Sequence, residues 1–234
     1  MSNVSYIDKI SKRWWYLLNS SACSFCNTSK KDKDEANKSQ ETRNIILLAA
    51  FNEIYQRGFQ AASITNILKN TGTTKGALYH YFENKQELGY CVLDEVIRNT
   101  IRVTWIDPLK DTDDPLTVLQ KIIRESGNQI TQADVSLGCP LNNLAQEMSP
   151  IDEGFRDRIA NIYQEWQDVL EAASERGKLA GNVDNSIDSK EISLLFIAAL
   201  QGCLGFAKSV QKLDTLMSCG QGLIDRLESL RPSK

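Results

Sequence analysis

Residues Thr73 to Phe82 read TTKGALYHYF, a run that gathers two hydroxyls, a lysine, a glycine, two tyrosines and the chain's single histidine. Tyrosine hydroxyls, lysine ammoniums and helix N-termini are donors to phosphate oxygens, and side chains in this setting also reach base edges. At about 100° per residue, Leu78 and Phe82 share one helical face with Thr74 and Tyr81 near it, and Lys75, Gly76, Tyr79 and His80 take the other. The first face is apolar enough to dock on neighbouring helices. The second holds a cation, a phenol, an imidazole and a gap. Gly76 costs the helix about 0.5–1 kcal/mol relative to alanine, a cost that close approach to a backbone or base edge would explain. Ala77, at the margin, suits a thymine methyl.

Other chemistry is scarce. With only His80 as imidazole, no Gly-rich phosphate loop and no Ser-His-Asp set, the sequence argues against an enzyme. Asp111, Asp113 and Asp114 read as a solvated loop before a capped helix. Of six cysteines, Cys23 and Cys26 form a lone C-x-x-C with no second pair, so a four-ligand zinc site is hard to complete and neither metal nor cofactor is expected. Cys91, Cys139, Cys203 and Cys219 stand apart and read as reduced, buried thiols of a cytoplasmic protein.

The elements that position these residues read as all-α. Residues 1–40 are expected to be a disordered or loosely ordered extension, because NTSKKDKDEANKSQE has no apolar period. A helix-turn-helix module follows over 41–88. Ile46, Ala50 and Ile54 with Leu47, Phe51 and Tyr55 form a buried stripe that Gly58 ends. Ser63 caps a second helix, Gly72 breaks it, Thr73 or Thr74 caps a third, and Asn84 opens a fourth. Residues 89–234 form a helical body. In it Pro108 ends the fourth helix, Asp114-Pro115 opens the next, Pro150 stops a short one, Gly177 ends the long helix from Phe155, and Asp188 caps another. No apolar run approaches the roughly 20 residues that span a bilayer, so no membrane partner is expected.

The net charge of −3 conceals a split: residues 1–90 carry 12 Lys+Arg against 8 Asp+Glu, and residues 91–234 carry 15 against 22. A basic module facing an anion, joined to an acidic body, fits that split.

The ordered set of a helix ending RGF, then SITNIL, the TG turn, KGALYHYF and NKQEL resembles residues of the tetracycline-repressor (TetR) family of bacterial transcription regulators across 42–90. The resemblance implies that Ser63, Thr73 and Thr74 hydrogen-bond phosphates and that Lys75, Gly76 and Ala77 face the major groove. It implies that Tyr79 donates to a phosphate, His80 reaches the backbone or a base edge, and Lys85 clamps a further phosphate. Family members commonly have histidine where Tyr81 stands, and a phenol can replace that donor.

One helix-turn-helix buries little surface, so a homodimer on operator half-sites about 34–36 Å apart is expected. LLFIAALQGCLGFA, residues 194–207, is the candidate dimer helix. Ala198, Ala199, Gly202 and Gly205 are small enough for a partner helix about 8–10 Å away, and Leu195, Leu200 and Phe206 supply apolar area. The helix carrying Phe155 and Trp166 is its expected companion in an intermolecular bundle. The resemblance also implies a cavity for a small-molecule effector, for which Trp105, Cys139, Leu141, Asn142 and Phe155 are candidates. Cys139, at a helix start, is a candidate for a stabilised thiolate. The expected function is a ligand-responsive repressor released from double-stranded operator DNA. The alternative is a DNA-binding architectural protein without ligand control.

Overall fold

The structure is a computed structural model that describes residues 30–69 and 71–232, and only the backbone for 30–37. Among the described residues every regular element is helical. The chain separates into two compact units, the first ending at Val96 and the second beginning at Ile97.

The first unit holds α1 (Lys30–Arg57), α2 (Ile64–Leu68), α3 (Lys75–Tyr81) and α4 (Lys85–Cys91), which runs into a π-helical turn over Val92–Ile97. The stripe of Ile46, Leu47, Ala50, Phe51 and Ile54 is buried, and α2, α3 and α4 all pack on α1. Gly58 leaves α1 at φ 83°, its amide closing on the Ile54 carbonyl at 2.8 Å. That left-handed turn is open to glycine at no steric cost.

Two boundaries differ from expectation. α1 begins at Lys30, so residues 30–40 are helical instead of unstructured. Their Lys, Glu, Ala and Gln are strong helix formers, and Gln40 donates to Asn44 Oδ1 one turn on at 2.9 Å. A missing apolar period leaves helix formation open, since helix propensity does not require a buried face. The first unit also extends past residue 88, because α4 packs on α1 and Glu95 pairs with Arg43. The ISKRWWYLLN segment and the Cys23/Cys26 pair lie outside the described residues.

The second unit starts with α5 (Arg98–Ile101), a second π-helical turn (Arg102–Ile106) and a 3₁₀ turn (Asp107–Leu109) that contains Pro108. There follow α6 (Pro115–Gln129), α7 (Gln132–Leu137), α8 (Pro140–Met148), α9 (Glu153–Leu179), α10 (Ser189–Val210) and α11 (Leu213–Glu228). Asp114, Asp152 and Asp188 cap α6, α9 and α10 with side-chain oxygens on backbone amides. The core is built on α9, whose Phe155, Ile159, Ile162, Trp166 and Leu170 are buried. α9 packs on α8 and α10, and α11 closes on α6 and α10.

Three further expectations are corrected in this unit. Gly177 does not end its helix, which runs on to Leu179. A Cβ at Gly177 would lie 2.7 Å from Val183 Cγ2 and 2.9 Å from Pro115 Cδ, so this glycine serves close packing. Cys203 and Cys219 are not free thiols: they form a disulfide between α10 and α11, with Cα atoms 5.8 Å apart. Spaced 16 residues apart in the chain, they look unrelated until the two helices pair. Finally, α10 is by length and composition apolar enough to cross a membrane. One side of it, with Phe196, Ile197, Leu200 and Ala207, is buried in the unit, and the other is exposed.

Candidate nucleic-acid interface

α3 is short and depends on its neighbours. Thr74 caps it by accepting the Ala77 amide at 3.1 Å, and Leu78 and Phe82 anchor it with 0% and 1% of their surface exposed. Two anchors four residues apart fix the rotation of the helix, so the remaining positions are turned outward. Lys75, Gly76, Tyr79 and His80 are exposed, and Ala77 is half-buried beside them. Nothing crowds Gly76; a Cβ there would find Thr74 Oγ1 as its near neighbour at 3.8 Å. The Lys75 ammonium lies 5.8 Å from the centre of the Tyr79 ring, so a cation and a phenol O–H stand together on the open face. His80 meets the Tyr81 ring edge-on with centroids 5.0 Å apart.

The hydroxyls flanking this face have structural partners. Ser63 caps α2 by accepting the Asn66 amide at 3.1 Å. Thr73 Oγ1 is 2.7 Å from Thr71 Oγ1 within the turn. Two expected donors have partners within the unit. Tyr81 is half-buried, with its hydroxyl 3.1 Å from Ser39 Oγ on α1. Lys85 donates to the Gln60 carbonyl at 3.1 Å and sits 4.9 Å from the centre of the Phe59 ring. Both side chains thus make contacts within the first unit.

One organising residue has no local sequence signal. Arg43 of α1 donates to Glu95 through both terminal guanidinium nitrogens, at 2.6 and 2.7 Å, and lies 5.1 Å from the centre of the Phe82 ring. It joins α1, the residue that closes α3, and the π-helical turn after α4. The hydrogen bonds to Glu95 push the Arg43 pKa up despite partial burial. Cys91 beside them is pushed up to about 11, first by burial and then by the Glu95 carboxylate, so it is a neutral thiol. Residues 43 and 95 are too far apart in the chain for periodicity to pair them.

In the second unit a cavity of about 300 Å³ lies among Trp105, α6, α10 and α11. Of the expected ligand residues Trp105 lines it; Cys139, Leu141, Asn142 and Phe155 do not. Cys139, Leu141 and Phe155 are buried core and Asn142 is half-buried. Burial pushes the Cys139 thiol pKa up, outweighing the amides of Asn142 and Leu141, so the helix start does not stabilise a thiolate there. Of the expected dimer residues, Leu195, Ala198, Ala199, Gly202 and Phe206 form one exposed stripe on α10. Phe155 and Trp166 are fully buried in their own unit and Leu200 is buried with them, so none of the three faces a partner.

Comparison with known proteins gives two separate matches. "Bacterial regulatory proteins, tetR family" matches residues 46–88, and "Transcriptional regulator LmrA/YxaF-like, C-terminal domain" matches residues 115–221. The chain is 29% identical over 179 residues to an uncharacterized HTH-type transcriptional regulator of Lactococcus lactis subsp. lactis, covering 76% of this chain and 89% of that protein. It is 27% identical over 190 residues to the HTH-type transcriptional regulator LmrA of Bacillus subtilis (strain 168), covering 80% and 98%. Its fold superposes on a TetR family regulator from Cytophaga hutchinsonii with a TM-score of 0.73 at 21% identity, covering 84% and 98%. With α3 inside the first match and α6 to α10 inside the second, this chain belongs to the TetR family of DNA-binding transcriptional regulators.

Proposed function

We propose that this regulator is a homodimeric repressor that binds a palindromic operator through α3 and leaves it when a small molecule enters the second unit. The observation that carries the DNA reading is the split of α3 into buried Leu78 and Phe82 and exposed Lys75, Tyr79 and His80. Lys75, Gly76 and Ala77 lie toward the bases. Tyr79 and Thr74 hold phosphates, and His80 reaches the backbone or a base edge. Ser63 and Thr73 add hydroxyls at the helix starts, where an oxygen can accept an amide of its own helix while its O–H donates to a phosphate nearby. Lys85 and Tyr81 act indirectly, by holding the module in shape.

Dimerisation uses the α10 stripe, whose Leu195 and Phe206 are 50% and 61% exposed in the protomer. Large uncovered apolar area of this kind marks an association surface, and Ala198, Ala199 and Gly202 allow a partner helix to come close. The exposed edge of α11, including Met217, replaces the α9 companion expected from sequence. Repression and effector control are what the family resemblance implies, and the cavity supplies a place for the effector. Trp105 lines it from a π-helical turn, a distortion that recurs at functional sites. Release requires only that the effector bind one of two states more tightly than the other. The setting is the cytoplasm, where the operator is.

Selection of bound sites from random duplex DNA tests this reading. A two-fold symmetric motif with half-sites one helical turn apart is expected. Weak protection of every sequence would leave the chain a nonspecific DNA binder and remove the repressor reading.

A further inference from the structure

The cavity of the second unit is apolar along most of its wall, with Ile123, Leu204, Leu216 and Met217 among its lining, and its one charged lining residue is the exposed Arg124. No carboxylate lines it. Arg124 has no ion pair or hydrogen bond among the described residues, and its neighbour Glu125 is engaged by Lys121 at 3.8 Å. Trp105 is held by two rings, Trp166 at 5.4 Å and Phe196 at 6.1 Å between centroids, and still contributes surface to the cavity. An aromatic wall favours a ring laid along it. A guanidinium with its donors uncommitted favours a planar anion, which it can hold by two parallel hydrogen bonds. The volume of about 300 Å³ sits at the small end of ligand pockets, which run roughly 300–1,000 Å³.

We propose that this cavity takes a small planar aromatic molecule bearing one carboxylate-like anion, with its ring on Trp105 and its anion on Arg124. The assignment names the effector class and rests on the reading of this cavity as the effector site. Binding is measured on the full chain without DNA, by calorimetry and by tryptophan fluorescence, with 2-naphthoate as probe and 2-naphthamide as its neutral counterpart. Wild-type protein is expected to hold the acid about tenfold more tightly than the amide, the worth of one charge-assisted contact. Arg124→Gln should erase that preference while leaving amide affinity within about twofold. Leu204→Trp, which fills the cavity, should remove binding of both, and Trp105→Phe should remove most of the fluorescence response. Equal affinity for acid and amide, acid binding unchanged in Arg124→Gln, or no binding of either probe overturns the assignment. If Leu204→Trp fails to fold by circular dichroism, the Arg124→Gln comparison decides alone. Operator affinity is read separately: 2-naphthoate that binds but leaves it unchanged counts against the effector reading and not against this occupant.

Discussion

The outward faces of α3 and α10 are both uncovered in the protomer, and their chemistry is opposite. α3 turns out a cation, a phenol and an imidazole over two buried anchors. α10 turns out leucines, a phenylalanine and small residues over an equally well buried far side. The first face suits a charged, hydrated polymer, whose binding weakens steeply with salt through counterion release. The second suits a dry contact, where each large side chain taken to full burial contributes about 1.5–3 kcal/mol with little dependence on salt. On the proposed reading, the chain separates recognition from assembly by giving each its own solvent preference.

That contrast can be broken most severely at α10. Phe206→Glu places a charge in the proposed apolar contact and should yield monomers in analytical ultracentrifugation, with operator affinity down by more than about 100-fold. A Phe206→Glu protein that stays dimeric would remove the α10 stripe as the interface. Next comes the link between α10 and α11. Cys203→Ser opens a loop of 16 residues and should lower unfolding free energy in urea by about 3 kcal/mol. An unchanged midpoint would show that the bridge contributes nothing to stability.

Smaller effects sharpen the reading face. Tyr79→Phe should weaken operator binding by about tenfold, equally on all operator variants, since a phosphate contact carries no base information. A loss confined to one variant reassigns Tyr79 to a base. Lys75→Ala separates the same two roles by salt. A phosphate contact lowers the salt slope by about 1 with specificity kept, whereas a base contact relaxes specificity at one position.

The smallest expected effect lies away from both faces, at the cap of α6. Burial pushes the Asp114 pKa up, but hydrogen bonds from the Thr117 amide and hydroxyl and from Arg231 outweigh it, and the net shift is downward. A carboxylate with a folded pKa below its unfolded value of about 3.9 stabilises the fold above that pH and ceases to do so as pH falls through the folded value. Asp114→Ala should therefore cost about 1 kcal/mol at neutral pH, with the gap to wild type closing in acid. A gap that persists below pH about 3 would assign the cost to packing instead.

Much of the first unit was legible because its signals are local. The anchors Leu78 and Phe82, the caps Ser63, Thr74 and Asn84, and the breaks at Gly58 and Gly72 all act within one or two turns. The errors fall where a side chain had a choice of partners. Lys85 and Tyr81 have the right chemistry for phosphate, and their partners Gln60 and Ser39 within the unit carry no local sequence signal. Cys139 stands at a helix start, but burial outweighs the helix's amides. On α9 the apolar spacing was read correctly, but spacing alone does not say whether a stripe meets its own core or a second subunit. Burial of Phe155 and Trp166 answers that.

The sequence by itself determined that the chain is helical, where most helices start and stop, and which face of α3 is polar. Hydrogen bonding and capping along a helix involve only near neighbours, so these are written in short stretches. The tertiary structure alone decided that Arg43 meets Glu95, that Cys203 meets Cys219, that Arg124 and Trp105 share one cavity, and that α10 keeps an uncovered face. Such pairings depend on which faces pack together, and that choice is made by the whole core at once.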